Sequence, residues 1–419
     1  LQLDNGLQVI LQESHSAPVA SYWLFYRVGS RNELPGQTGI SHWVEHMMFK
    51  GTARFPRGEF DRAVARAGGQ FNGMTGLDWT TYFETMPSHK IDLALRLEAD
   101  RFENSIYTED EVNSERTVII SERQGNENNP LFKLDEDVQH AAFAKHPYRH
   151  EVIGDQVDLE SMTRDDLFNH KQAYYVPNNA VLAIAGDFES KVMLSRVEEL
   201  FGGIPSGEIP DRVAQDEALP TKEQRIETHG PGETIFLRAS YRAPRATDPD
   251  FFALSVLDSL LSGPSSLNLF GGGISNKTSR LYQSLVETDL AVGVGGGLQA
   301  TIDPFLYAIT LTVHPDRKVE DLLQPLDDEI KRVQDAKPQP AELARAVKQA
   351  EALFAYGSES ITNQAFWLGF AEMFDSYAWF EKYLTRLEAV TPEDVQRVAQ
   401  KYLLSERRVL GIYIPKDAA

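Results

Sequence analysis

The chain has 419 residues, with 25% charged and 42% hydrophobic; that is room for two or three domains and excludes a disordered chain, a collagen-like repeat and a membrane bundle. Its 62 acidic residues against 41 basic give a net charge of −21, which argues against nucleic acid, whose phosphates are bound by Lys and Arg, and favours basic peptides. There is no cysteine, so any transition metal must be held by His, Asp or Glu.

No apolar run approaches the roughly 18 residues of a membrane-spanning helix. The lack of cysteine and the start at Leu1 lead us to expect a bacterial periplasm rather than a cytoplasm.

In chain order, residues 21–27 read as a strand, followed by a loop and a helical stretch over 39–49. That stretch holds His42-Trp43-Val44-Glu45-His46, the H-x-x-E-H pattern. Four-residue spacing puts His42 and His46 on one helical face, where both imidazoles reach a single metal, and Glu45 borders that face. The plainer alternative is a pair of histidines satisfied by neighbouring carboxylates. Residues 70–83 read as a strand. Capping-box spacing from Thr108 to Glu111 opens a helix over 109–124. On it Glu115 and Glu122 share a face with Val118 and Ile119, which predicts that the face turns inward. The pattern leaves open which carboxylate would complete a metal site.

Thr163 then begins a helix that reaches Tyr174, a turn at Pro177-Asn178-Asn179 and a strand over 181–185. The same order returns from Thr391 through Tyr402 and Ser405-Glu406 to Val409-Leu410-Gly411-Ile412. Both threonines suit an N-cap, with acidic residues following where the helix dipole favours them. Residues 234–242 repeat the first strand and 248–261 the first helix. Between the halves, Pro205, Pro210 and Pro220 stand among polar residues, a linker composition.

The duplication predicts an α+β fold of two homologous domains, each a mostly antiparallel sheet packed with helices. The expected boundaries are 1–205 for the domain with the histidine motif, 206–225 for a linker and 226–419 for the second domain. Gly271-Gly272-Gly273 and Gly295-Gly296-Gly297 lack the Gly-Lys-Ser/Thr of a phosphate loop. His140, His146, His150 and His170 have no metal-like spacing to the motif and are expected on the surface or as ordinary helix and loop residues. The aromatics Trp367, Phe370, Phe374, Tyr377, Trp379 and Phe380 are expected in the core.

The sequence resembles the pitrilysin/insulinase family, which includes the mitochondrial processing peptidases. The matching segments reach well beyond the motif: Val28-Gly29-Ser30-Arg31-Asn32-Glu33, Thr38-Gly39-Ile40-Ser41, Met48-Phe49-Lys50-Gly51-Thr52, and Gly68-Gly69-Gln70-Phe71-Asn72-Gly73-Met74-Thr75 with Asp78, Thr80 and Tyr82. Glu115-Arg116-Thr117-Val118-Ile119-Ile120-Ser121-Glu122 and Tyr175-Val176-Pro177-Asn178-Asn179 belong to the same pattern. The resemblance implies a zinc endopeptidase with His42, His46 and Glu122 as ligands of Zn2+, Glu45 as general base and Glu115 as the supporting acid. It implies that an edge strand near the site takes a peptide substrate by backbone pairing, with Asn72 and Thr75 in contact with it. It also implies a subunit forming half of a clamshell.

One departure stands out. Active relatives carry an Arg and then a Tyr in the second half, which bind the substrate carbonyl. Aligned on Ser279-Arg280-Leu281, these fall on Val286 and Val292, and neither can donate a hydrogen bond. Arg280 and Tyr282 match an earlier part of the segment and are expected to pack or cap a helix. The resemblance with this gap predicts a heterodimer, in which a homologous subunit without zinc ligands supplies the Arg/Tyr pair; a homodimer is the second choice. The other class of reading is a non-catalytic scaffold or binding subunit, although such scaffolds generally lose the ligands that are all present here.

Overall fold

The duplication becomes two five-stranded sheets built to one plan. The computed structural model describes residues 1–211, 217–265, 267 and 274–416, so Gly271-Gly272-Gly273 lies outside the described residues. The first sheet is made of β1 (Gln8–Glu13), β2 (Val19–Tyr26), β3 (Gln70–Thr75), β4 (Thr80–Pro87) and β5 (Ala180–Gly186), in the order β1-β5-β2-β4-β3. The second is made of β6 (Gln224–Gly230), β7 (Phe236–Arg242), β8 (Ala291–Leu298), β9 (Leu306–Val313) and β10 (Val409–Pro415), in the order β6-β10-β7-β9-β8. Each sheet is mixed, with one parallel pair, β1/β5 or β6/β10, and antiparallel pairing elsewhere. Among the described residues no helix is long and apolar enough to cross a membrane.

The register carries the repeat through four strands of each sheet. Leu182 pairs with Leu24, Leu24 with Tyr82 and Tyr82 with Gly73. In the second sheet Leu410 pairs with Ala239, Ala239 with Ile309 and Ile309 with Gly296. Gly73 on the edge strand β3 and Gly296 on the edge strand β8 are therefore equivalent positions. The helices Arg164–Tyr174 and Pro392–Tyr402 feed β5 and β10, and both open with a full capping box, on Thr163 with Asp166 and on Thr391 with Asp394.

Two compact units form around these sheets, and each borrows a segment from the other half of the chain. One comprises Leu1–Arg123, His150–Gln215 and Ser358–Phe380; the other comprises Gln124–Arg149, Asp216–Gly357 and Glu381–Ala419. The contiguous boundaries expected from the sequence, 1–205 and 226–419, do not coincide with them. The physical reason is apolar burial. In the first unit the helix Ile361–Phe370 packs on β2 and β5, its Phe366 ring 5.2 Å from that of Trp23. In the second the helix Pro130–Ala142 packs on β10 and β6 through buried Leu134 and Val138. Each sheet needs a helix on that face, and the nearest segment in sequence does not supply it.

The strand expected over 70–83 is a hairpin. The amide of Gly76 donates to the carbonyl of Trp79 (2.8 Å), and the chain turns so that Thr75 pairs with Thr80. Of the six aromatics expected in the core, Trp367, Phe370 and Trp379 are buried, while Phe374, Tyr377 and Phe380 are half-buried. His146 and His150 are buried too, at 4% exposure each; a histidine turned inward onto a carboxylate leaves no periodic trace in sequence. Arg280 makes a two-point ion pair with Glu342 (2.6 and 2.8 Å) that ties its turn to the helix Pro340–Tyr356.

Candidate metal centre

The helix Ile40–Met47 is short, and its start is fixed by backbone chemistry. Gly39 holds a φ of 85°, and a Cβ there would fall 2.3 Å from the carbonyl oxygen of Ile153. The amides of Gly39 and Ser41 donate to Oε2 and Oε1 of buried Glu33, at 2.8 and 2.9 Å. A carboxylate at a helix N-terminus satisfies amides that lack partners in the helix and faces the positive end of its dipole. Burial pushes Glu33 up to about 8, against the pull of those two amides. Glu33 was legible only as part of a matching segment; its role depends on a chain turn that sequence spacing does not show.

One helical turn separates His42 and His46, whose ring centroids lie 4.6 Å apart. From the helix Glu109–Asn126, Glu122 reaches both: its Oε1 lies 3.8 Å from His42 Nε2 and its Oε2 3.5 Å from His46 Nε2. Potential ligand atoms on His42, His46 and Glu122 all lie within 4.8 Å of one another. Metal–ligand bonds of about 2.0–2.2 Å in a tetrahedron put neighbouring ligand atoms about 3.3 Å apart. The residues present therefore fit one small ion of the zinc type, with two imidazole nitrogens and one carboxylate. Burial next to His46 lowers the His42 pKa to about 3, so that ring is neutral and free to ligate.

Glu115, one heptad earlier on the same helix, does something different. Its Oε1 meets His46 Nδ1 at 2.9 Å, and its Oε2 pairs with the Lys50 ammonium. Against the effect of burial, these two partners hold its carboxyl below the ordinary range. The hydrogen bond fixes the His46 tautomer with Nε2 free to face Glu122. The two carboxylates that the helix pattern could not tell apart are thus separated by depth. The Glu115 side chain is 5% exposed and that of Glu122 42%. Lys50 is the residue that sequence reasoning missed. It stands four beyond His46, in the turn that follows the last helical residue, Met47, so helical spacing does not point to it.

Glu45 lies at 7% exposure beside the pair of histidines without joining the triad. Its Oε2 accepts from Thr75 Oγ1 at 2.7 Å. Burial pushes its pKa up to about 7, opposed by that hydrogen bond. The edge strand β3 passes directly over it, and a Cβ on Gly73 would come 3.0 Å from Glu45 Oε1. Asn72 is exposed on the same strand, its Oδ1 accepting from the next amide at 2.9 Å. Of the residues expected to contact substrate, Asn72 stands on the open edge, while the Thr75 hydroxyl is turned onto Glu45. In the second unit Val292 is 58% exposed on β8, and Val286 closes the π-helical turn Tyr282–Val286.

Comparison with known proteins bears on the family and the fold. Residues 8–156 match the family model described as insulinase (peptidase family M16), and residues 161–350 match the model described as peptidase M16 inactive domain. An uncharacterized zinc protease of Streptomyces coelicolor is 26% identical over 99% of this chain and 88% of its own length. A probable mitochondrial-processing peptidase subunit beta of Arabidopsis thaliana is 27% identical over 96% of this chain and 75% of its own. The crystal structure of a protease from Helicobacter pylori superposes with a TM-score of 0.91 at 26% identity, covering 99% of this chain and 98% of that one.

Proposed function

This chain belongs to the insulinase (M16) peptidase family, and on that premise we propose that it is the zinc-bearing subunit of a two-subunit endopeptidase. The observation that carries the reading is the convergence of His42, His46 and Glu122, with the Glu45 carboxylate beside them and outside the triad. Zinc bound by these three residues supplies a Lewis acid that activates water and polarises a peptide carbonyl. Glu45 takes the proton of the attacking water and hands it to the leaving amine, its carboxylate aimed by the Thr75 hydroxyl. Glu115 and Lys50 keep His46 in the ligating tautomer. A peptide adds to the open edge of β3, where Asn72 contacts its backbone; pairing through the main chain tolerates many side chains.

What this chain does not offer is a donor for the developing oxyanion at Val286 or Val292. One such donor is typically worth about 10²–10³ in rate. The missing pair comes from a homologous partner subunit, and the similarity to a protein named as a subunit beta supports that reading. The match of 161–350 to a model described as an inactive domain favours a second reading, a binding scaffold without turnover. The two separate in one experiment: zinc content and hydrolysis of an unstructured peptide, measured for the chain alone and with paralogous subunits. One zinc per chain with turnover only after mixing supports the proposal. Full activity from the isolated chain would refute the shared site, and a chain that takes up no zinc would leave the scaffold.

A further inference from the structure

A cavity of about 570 Å³ opens within the second unit. Leu219, Pro220, Pro244, Pro304 and the Tyr402 ring give it apolar walls, and its charged lining is four cations, Arg242, Arg245, Lys401 and Arg407, against one carboxylate, Asp248. That balance runs opposite to the net −21 of the chain.

Two of these charges are already committed. Lys401 Nζ meets Asp250 Oδ2 at 2.7 Å, and Asp248 Oδ1 accepts the amide of Asp250 at 2.9 Å. The three arginines are not. Among the described residues none of their guanidinium groups has an ion pair or a hydrogen bond. Arg242, the last residue of β7, lies over the Phe143 ring at 3.8 Å with its Nε and Nη1 buried and unpartnered. Burial lowers its pKa to about 10, opposed by the nearby Glu217 carboxylate, whose two oxygens are taken by the amides of Ala144, Lys145 and His146. The neighbouring Arg408 shows what a structural arginine looks like in this fold: it is 2% exposed and bonded to Glu223, Asp327 and Tyr241. The larger, shallower groove of about 680 Å³ around Arg280 follows that pattern, since Arg280, Arg332 and Lys337 pair with Glu342, Glu329 and Glu393.

Leaving a guanidinium partly desolvated and unpaired is costly, and planar forks of donors are matched by carboxylate and phosphate. The volume is that of a site for an organic molecule rather than for a bare ion. We infer that this cavity binds an amphipathic organic anion, its carboxylate or phosphate held by Arg242, Arg245 and Arg407 and its apolar body against Pro244, Pro304 and Tyr402.

Calorimetric titration of the full chain with octanoate, octyl phosphate, octylamine and octanol tests this. One anion per chain is expected to bind, with the amine and the alcohol at least about tenfold weaker. Arg245 and Arg407 are exposed, so the double variant R245Q/R407Q keeps its melting temperature while losing at least about tenfold in affinity for both anions. Octanoate binding the tighter identifies a carboxylate ligand, and octyl phosphate the tighter identifies a phosphate ester. The inference is overturned if neither anion binds below about 1 mM, if octanol binds equally well, or if the double variant binds as the parent does.

Discussion

Glu45 and Asp258 occupy the same place in two copies of one scaffold. Each is a buried carboxylate beneath the edge-strand glycine that the register makes equivalent: a Cβ on Gly73 would lie 3.0 Å from Glu45 Oε1, and one on Gly296 would lie 1.9 Å from Asp258 Oδ1. Their surroundings differ. Glu45 has one hydroxyl donor, Thr75, and two histidines beside it on its own helix. Asp258 accepts from Ser262 Oγ (2.5 Å), Tyr307 OH (2.9 Å) and both the amide and hydroxyl of Ser265 (3.0 and 2.6 Å). Four donors fill the acceptor capacity of a carboxylate, so Asp258 is a structural tie. Glu45 keeps lone pairs for another proton. On the proposed function, what separates the reactive carboxylate from the inert one is the number of donors spent on it, while the strand, the helix and the glycine stay the same.

Four sets of variants test this contrast; Glu45, the base in the proposed function, comes first. Glu45→Gln should lower peptidase activity by about 10²–10⁴, while metal analysis still finds zinc. Asp258→Asn should leave zinc uptake intact and act only on stability, so a large loss of bound zinc in that variant would contradict the division of roles. Next come the glycines. Gly296→Ala forces a methyl into the Asp258 carboxylate and should cost about 3 kcal/mol or more, against about 1 kcal/mol for Gly73→Ala, as read from urea unfolding. Equal costs would mean that the two carboxylates are held equally rigidly.

Lys50→Met tests how Glu115 is held. Without its ammonium partner Glu115 should orient His46 less well, and zinc affinity measured by chelator competition should fall about 10–100-fold, with Lys50→Arg restoring part of it. Zinc affinity unchanged in Lys50→Met would remove Lys50 from the site's support.

The smallest effect is at Asp250, which opens the helix carrying Asp258. Burial alone would raise its pKa, but Lys401, Arg397 and Tyr402 outweigh that and hold it below the ordinary aspartate range. A depressed folded value stabilises above the unfolded value and is lost as pH falls through the folded one. Stability should therefore drop below about pH 4, and Asp250→Asn should remove on the order of 1 kcal/mol at neutral pH together with that part of the acid sensitivity. An unfolding midpoint in which Asp250→Asn and the parent differ equally at pH 7 and pH 3 would rule this out.

Local signals were enough for part of this architecture. Helical spacing put His42 and His46 on one face, threonine followed by acid marked both capping boxes, and the recurring helix–turn–strand order announced two sheets of one design. These depend on residues a few positions apart, where periodicity and backbone geometry are the whole cause. Features that depend on depth and on distant chain came from packing. It gave Glu122 to the histidines and Glu115 to Lys50, turned the Thr75 hydroxyl onto Glu45, and split residues 70–83 into a hairpin. It also exchanged the segments 124–149 and 358–380 between the compact units. Two carboxylates seven apart look alike along a helix axis; His46 and Lys50, from a distant part of the chain, cover Glu115 and leave Glu122 exposed, and no spacing within the helix encodes what packs against it.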